Sequence, residues 1–238
     1  MGILEVILNR GSIFEIIACL ISSAIVIFFC MPIHEYAHGF VAEKLGDPTP
    51  RWQGRMSLNP IKHIDYVGAV MIFLIGFGWA KPVQVDSRYF KNEKRGMALT
   101  ALAGPISNLI FALIFSFIYS TLIFIFNING GFGWTGNEFA YYLFITFMLI
   151  INYIIIISIS LAIFNLIPVP PLDGSKILFS ILPDRIYWKI MQYERYLYFG
   201  LMFLLFAGSG SRALSNVVSY VYGVFLRIAS LPFEIFLG

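Results

Sequence analysis

Three stretches of the chain, Ile13 to Phe29 and onward, Ala98 to Phe126 and Phe139 to Phe164, are almost free of charge. Each is long enough to cross a bilayer, which takes roughly 20 apolar residues. A less clear pair of apolar segments follows residue 185. With 59% of 238 residues hydrophobic and 12% charged, the chain has more apolar surface than a soluble domain can bury. The solvent is therefore largely lipid, and an all-α polytopic membrane protein follows. Arg10 lies between Glu5 and Glu15, and the apolar run after it outlasts a signal-peptide core and lacks a small-residue cleavage pattern, so it reads as retained. Cys19 and Cys30 fall on one predicted helix roughly 16 Å apart, too far to bond to each other.

The net charge of +3 is informative only by location. Between the first two long spans lie Lys44, Arg51, Arg55, Lys62, Lys81, Arg88, Lys91, Lys94 and Arg95, and after the third come Lys176, Arg185, Lys189 and Arg195. The connection from Asn127 to Glu138 has no basic residue. The positive-inside rule then puts residues 44–96 and 168–195 in the cytoplasm and 127–138 outside. Nothing in this pattern points to a nucleic-acid partner. On this reading residues 1–238 form a single integral membrane domain, with a core at about 13–180 and C-terminal helices at about 185–230.

Tyr66 to Ala80 is apolar but short and has basic segments on both sides. A full crossing would place one basic flank outside, so the segment reads as re-entrant or surface-buried, tolerable if protein covers its backbone. Around it, RWQGRMSLNP and GWAKPVQVD have the Gly, Pro and alternation of short strands, which predicts a small membrane-associated β-sheet. Arg185 to Ala207 and Ala213 to Phe225, separated by a GSGSR turn, read as two more spans or one hairpin.

The first span ends in MPIHEYAHGF. On a helix, positions i and i+4 share a face, so His34 and His38 can reach one ion. Glu35 is one step round, able to touch a water on that ion without being a ligand. Zinc in such a setting lowers the pKa of its water towards ~7, and a carboxylate takes the proton. Pro32, with no N–H, predicts a bend just upstream. The plain alternative is two interfacial histidines snorkelling to headgroups. Membrane helices, however, admit ionisable groups chiefly where partners or a water-filled cavity receive them.

A catalytic zinc usually has three protein ligands. Asp173 is the best candidate for the third, in NLIPVPPLDG at the end of the third long span. The prolines stop the helix, and Gly174 permits a turn that aims the carboxylate back into the bundle. Its alternative role is an N-cap for a helix starting near Ser175.

HEYAH in a membrane helix, with NLIPVPPLDG downstream, resembles the site-2 protease family of intramembrane zinc metalloproteases. The resemblance extends to Gly104-Pro-Ile-Ser-Asn108, similar to that family's GPxxN motif, and to the segments Ser57 to Asp65 and Gly78 to Pro82. It implies a three-helix catalytic core with its active site toward the cytoplasm, one Zn2+ per chain held by His34, His38 and Asp173, and Glu35 as general base. It also implies hydrolysis of peptide bonds in transmembrane segments of membrane-anchored proteins, and by it Asn108 and Asn165 could hydrogen-bond the substrate backbone or the developing oxyanion. Helix-to-helix adhesion is the other role open to those amides. His63 could approach the metal or substrate, or make a structural hydrogen bond.

The localisation that follows is multi-pass in the plasma membrane, in contact with lipid. Substrate selection falls to the membrane core, the basic loops or a regulatory membrane partner. The rival function is a metal or proton transporter using the His/Asp cluster as a transit site. Transport favours further ionisable groups along a path, yet between Ala98 and Phe164 the only charge is Glu138.

Overall fold

A computed structural model describes residues 2–76, 78–128, 138–206 and 209–237. The first elements are α1 (Ile3–Leu8) and α2 (Ile13–Ile25). Ser12 starts α2 with a reciprocal cap: its hydroxyl accepts the Glu15 N–H, and the Glu15 carboxylate accepts the Ser12 N–H at 2.6 Å. A π-helical turn, Val26–Cys30, then leads without interruption into α3 (Met31–Lys44). Pro32 accounts for the widened turn. It has no N–H for the Phe28 carbonyl, and the Met31 N–H reaches back five residues to the Val26 carbonyl instead. The bend predicted at Pro32 is thus a change of helical register one turn before His34.

After α3 the chain makes a short helix, α4 (Thr49–Trp52), and a 3-10 turn, Pro60–Lys62, before α5 (Tyr66–Ile75). Asp65 caps α5 through the Gly68 N–H, and Gly76 ends it with a positive φ of 84°. The chain then doubles back so closely that a Cβ on Gly68 would lie on the Trp79 carbonyl. Helix α5 has 10 residues, about half a crossing, and it packs beside α1 and α2.

No β-sheet forms among the described residues, which corrects the sheet expected around residues 51–60 and 81–86. The first segment contains α4, a turn at Gly54 with φ 66° and the 3-10 turn. The second has neither helix nor strand, reaches Asp86 in extended backbone (φ −108°, ψ 106°) and has no strand beside it among the described residues. Lys81 donates its N–H to the His63 carbonyl, Val83 to Glu35 and Asp86 to Asp47. Pro82 has no N–H to give. Carboxylates of α3 and its C-terminal turn take donors that a ladder would need.

The remaining described elements are helices: α6 (Glu93–Ile128), α7 (Glu138–Asn165), the short α8 (Asp173–Ile181), α9 (Asp184–Met191) and α10 (Glu194–Phe206), and then α11 (Ser209–Leu237). Among the described residues, four helical segments are long and apolar enough to cross a membrane: 13–44, 93–128, 138–165 and 212–234. Of the two C-terminal apolar segments, only α11 has that length, because α10 has 13 residues. Most of the connection expected outside, residues 129–137, and part of the GSGSR turn lie outside the described residues.

Helix α7 is the centre of the bundle. Its apolar window is 67% buried against 17% for α6. One face packs on α2 and the π turn through Tyr153, Ile154, Ile157 and Leu161, and another packs on α6 and α11 through Ile151, Ile155 and Ile159. Ser22 fixes α2 to α7 by donating to carbonyls of both Ala18 and Ile150, and Tyr222 of α11 donates to Asn152 at 2.6 Å. Rigid anchoring on both sides sets where the two ends of α3 and α7 meet.

Candidate metal centre

The i and i+4 spacing on α3 puts the two imidazoles edge to face, with their Nε2 atoms 3.0 Å apart. The third arm arises where α7 stops. With prolines at 168, 170 and 171 no helix can continue, and the chain turns tightly through Val169 N–H to Ile167 O at 2.8 Å and Leu172 N–H to Val169 O at 3.0 Å. Gly174 must be glycine for this turn, since a Cβ there would sit 2.2 Å from the Leu166 carbonyl oxygen. Helix α8 then begins at Asp173, one of whose oxygens, Oδ2, lies 3.4 Å from His34 Nε2 and 3.0 Å from His38 Nε2. The oxygens of Asp173 thus face the imidazoles and Lys176 rather than capping α8.

These three buried donors fit a metal ion by their own geometry and chemistry. Tetrahedral zinc with bonds of about 2.0–2.2 Å sets neighbouring donors about 3.3–3.5 Å apart, and the triangle here has edges of 3.0, 3.0 and 3.4 Å. Two imidazole nitrogens and a carboxylate oxygen are also the donor set zinc takes. His38 is oriented from behind: its Nδ1 lies 2.7 Å from the Thr100 carbonyl on α6, which fixes the proton there and leaves Nε2 for a metal. Burial pushes the Asp173 carboxyl up, but His38, His34 and the Lys176 ammonium outweigh it and hold the carboxyl well below the usual range.

Glu35 lies outside the triangle. It is buried, and its Oε2 accepts the Val83 N–H at 2.9 Å. Both Glu35 and the three donors line one cavity of about 610 Å³, walled by α3, α6, the end of α7, the extended segment from Gly78 to Val85 and Tyr198 of α10. Tyr198 meets Trp79 edge to face across one side of it.

The other residues singled out from sequence divide. Asn108 and Asn165 both line the cavity. The Asn108 Oδ1 accepts the Cys30 thiol at 3.3 Å, and the Asn165 amide donates to the Leu161 carbonyl of its own helix at 2.9 Å. His63 is buried elsewhere, its Nε2 2.7 Å from the Ser57 carbonyl, and it is not among the lining residues. Three contributors were not legible beforehand. Thr100 and Val83 act through backbone groups, which no side-chain pattern reveals. Lys176 lines the cavity with its ammonium 3.1 Å from Asp173 Oδ1, and its place three residues along α8 was the available sign.

A profile for peptidase family M50 matches residues 22–207. The chain is similar to YwhC of Bacillus subtilis (strain 168), presumed by its name to be a zinc metalloprotease, with 35% identity over 204 residues, 85% of this chain and 88% of that one. It is also similar to Rip2 of Mycolicibacterium smegmatis (strain ATCC 700084 / mc(2)155), another zinc metalloprotease presumed by name, with 26% identity over 60% of this chain and 50% of that one. No solved structure matches at a significant level. A profile that covers most of the chain, together with 35% identity over most of it to a zinc metalloprotease presumed by name, leaves one conclusion: the chain belongs to peptidase family M50, the site-2 proteases, and is a zinc metalloprotease.

Proposed function

We propose that this integral membrane protein cleaves peptide bonds within transmembrane segments of membrane-anchored proteins, near the cytoplasmic face of the plasma membrane. One zinc ion per chain is held by His34, His38 and Asp173, and Glu35 is the general base. The single observation that carries the reading is the triangle of buried donors at the end of a helix of membrane-crossing length, with Glu35 beside it on the same cavity. The distribution of Lys and Arg supports the orientation, since the segments bearing the site are the basic ones.

When bound, zinc supplies Lewis acidity that polarises the scissile carbonyl and makes water more acidic. The protein's own groups do the rest. Glu35 takes a proton from the attacking water as the oxygen bonds to the carbonyl carbon, and returns it to the nitrogen as the C–N bond breaks. The Val83 N–H holds one Glu35 oxygen and leaves the other for the water. Asn108 and Asn165 offer amides to the substrate backbone from the cavity wall. The extended segment through Gln84 and Val85, which lines the cavity, gives an unwound substrate main-chain partners in place of those it loses on leaving its helix. His63 acts at one remove by receiving the Lys81 N–H at the start of that segment.

The test is the Glu35→Gln variant in purified full-length protein with a transmembrane peptide as substrate. It retains zinc, because none of the three donors is altered, and loses cleavage. Continued turnover by the zinc-loaded variant would refute the assignment.

A further inference from the structure

Asp173 has two oxygens, and the structure gives them different partners. Oδ2 faces both imidazoles at 3.0 and 3.4 Å, while Oδ1 is taken by the Lys176 ammonium at 3.1 Å. The two residues are three apart on α8, so one turn of helix brings the ammonium to Oδ1. Among the described residues, Lys176 has no other carboxylate partner within ion-pair distance. Its side chain is 41% exposed and lies along the cavity wall.

We propose that Lys176 is a positioning residue that confines Asp173 to coordination through a single oxygen and thereby keeps a position on the metal open. The inference rests on the zinc-protease reading above. A carboxylate binds a divalent ion through one oxygen or through both, and the choice depends on what else competes for the second oxygen. Two histidines and a two-oxygen carboxylate would fill four positions, so that water could enter only as a fifth ligand. A catalytic zinc needs the fourth for water and the substrate carbonyl. An ammonium on Oδ1 settles the competition, because a charge-assisted hydrogen bond is roughly twice as strong as a neutral one. Lysine suits this role because its single point of charge engages one oxygen.

The experiment uses the full chain in detergent with Co2+ in place of zinc, whose visible absorption distinguishes four-coordinate from five-coordinate sites. Lys176→Met preserves length and apolar stem but has neither donor nor charge. We expect it to bind one Co2+ and to lose the intense four-coordinate bands. With zinc, its kcat falls about 10- to 100-fold, the usual scale for disturbing groups behind metal ligands, while KM stays near that of the wild type. Lys176→Arg, which restores a charged donor, recovers both the spectrum and kcat. A Lys176→Met protein with the wild-type cobalt spectrum overturns the proposal, as does a Lys176→Arg protein that behaves like the methionine variant. Either result leaves the protease reading standing if the wild type binds metal and cleaves. A wild-type chain that takes up no metal overturns both.

Discussion

Gly104 of α6 faces His38 so closely that a Cβ built on it would lie 2.3 Å from the imidazole Nε2, and 2.6 Å from Cε1 of His34. The glycine is therefore one wall of the candidate metal centre. Four residues before it, the Thr100 carbonyl orients the same His38. One turn of α6 thus both supports the imidazole and limits its space. Gly104→Ala should force the histidines off their common point or push α6 away and break the Thr100 contact. Metal affinity then falls about 10- to 100-fold, on the scale of other losses of support at metal sites. Competition with a chromogenic chelator measures it. Wild-type affinity in the alanine variant would show that α6 yields freely.

Pro32 sets the direction in which the two histidines face. Because it cannot donate, the preceding turn is π-helical, and α3 is out of register with α2. An extra residue in one turn rotates everything beyond it by roughly 100°. Alanine is more favourable than proline by about 3 kcal/mol in a helix interior, so Pro32→Ala favours a continuous α-helix. Helix α2 is held to α7 by Ser22, and the rotation falls on the histidines instead. Zinc content after dialysis against a weak chelator should drop well below one per chain, and cleavage should drop with it. Undiminished zinc and turnover would mean that the π turn persists without proline.

Much of the site was legible because its chemistry is periodic or abrupt. Two histidines four apart on a helix must share a face, and three prolines beside a glycine must end a helix sharply. The apolar runs gave the long helices for an equally direct reason, as only a closed helix satisfies its backbone in lipid. The sheet was misread because alternation of polar and apolar residues at 81–86 signals extended backbone but not what it pairs with. Here the pairing groups are Glu35 and Asp47, 48 and 39 positions away in sequence from their N–H donors. Gly104 was visible as a small residue in α6, but the neighbour that requires it could not be read from a single helix. His63 shows the opposite case, a chemically suggestive side chain that does not line the cavity and whose Nε2 lies 2.7 Å from the Ser57 carbonyl.

Asp47, when substituted, separates the proposed metal donors from the proposed base beside them. It is fully buried, its Oδ1 accepts the Thr49 N–H at 2.9 Å and its Oδ2 accepts the Asp86 N–H at 2.8 Å. Glu35 holds the same extended segment three residues earlier, at Val83. Two carboxylates from α3 and the turn after it therefore pin one strand of chain across the cavity. Asparagine at 47 keeps one acceptor but turns an NH2 toward the other donor, leaving a buried N–H unpaired at a cost of about 1–3 kcal/mol. That energy is spent loosening the segment, since none of the three metal donors touches Asp47. Asp47→Asn should retain zinc, cleave more slowly, and exchange the Asp86 and Val83 amide hydrogens about 5- to 150-fold faster, the range those energies convert to. Unchanged exchange at both amides would show that Asp47 does not hold the segment, and slower cleavage with zinc lost would show that it supports the ligands instead.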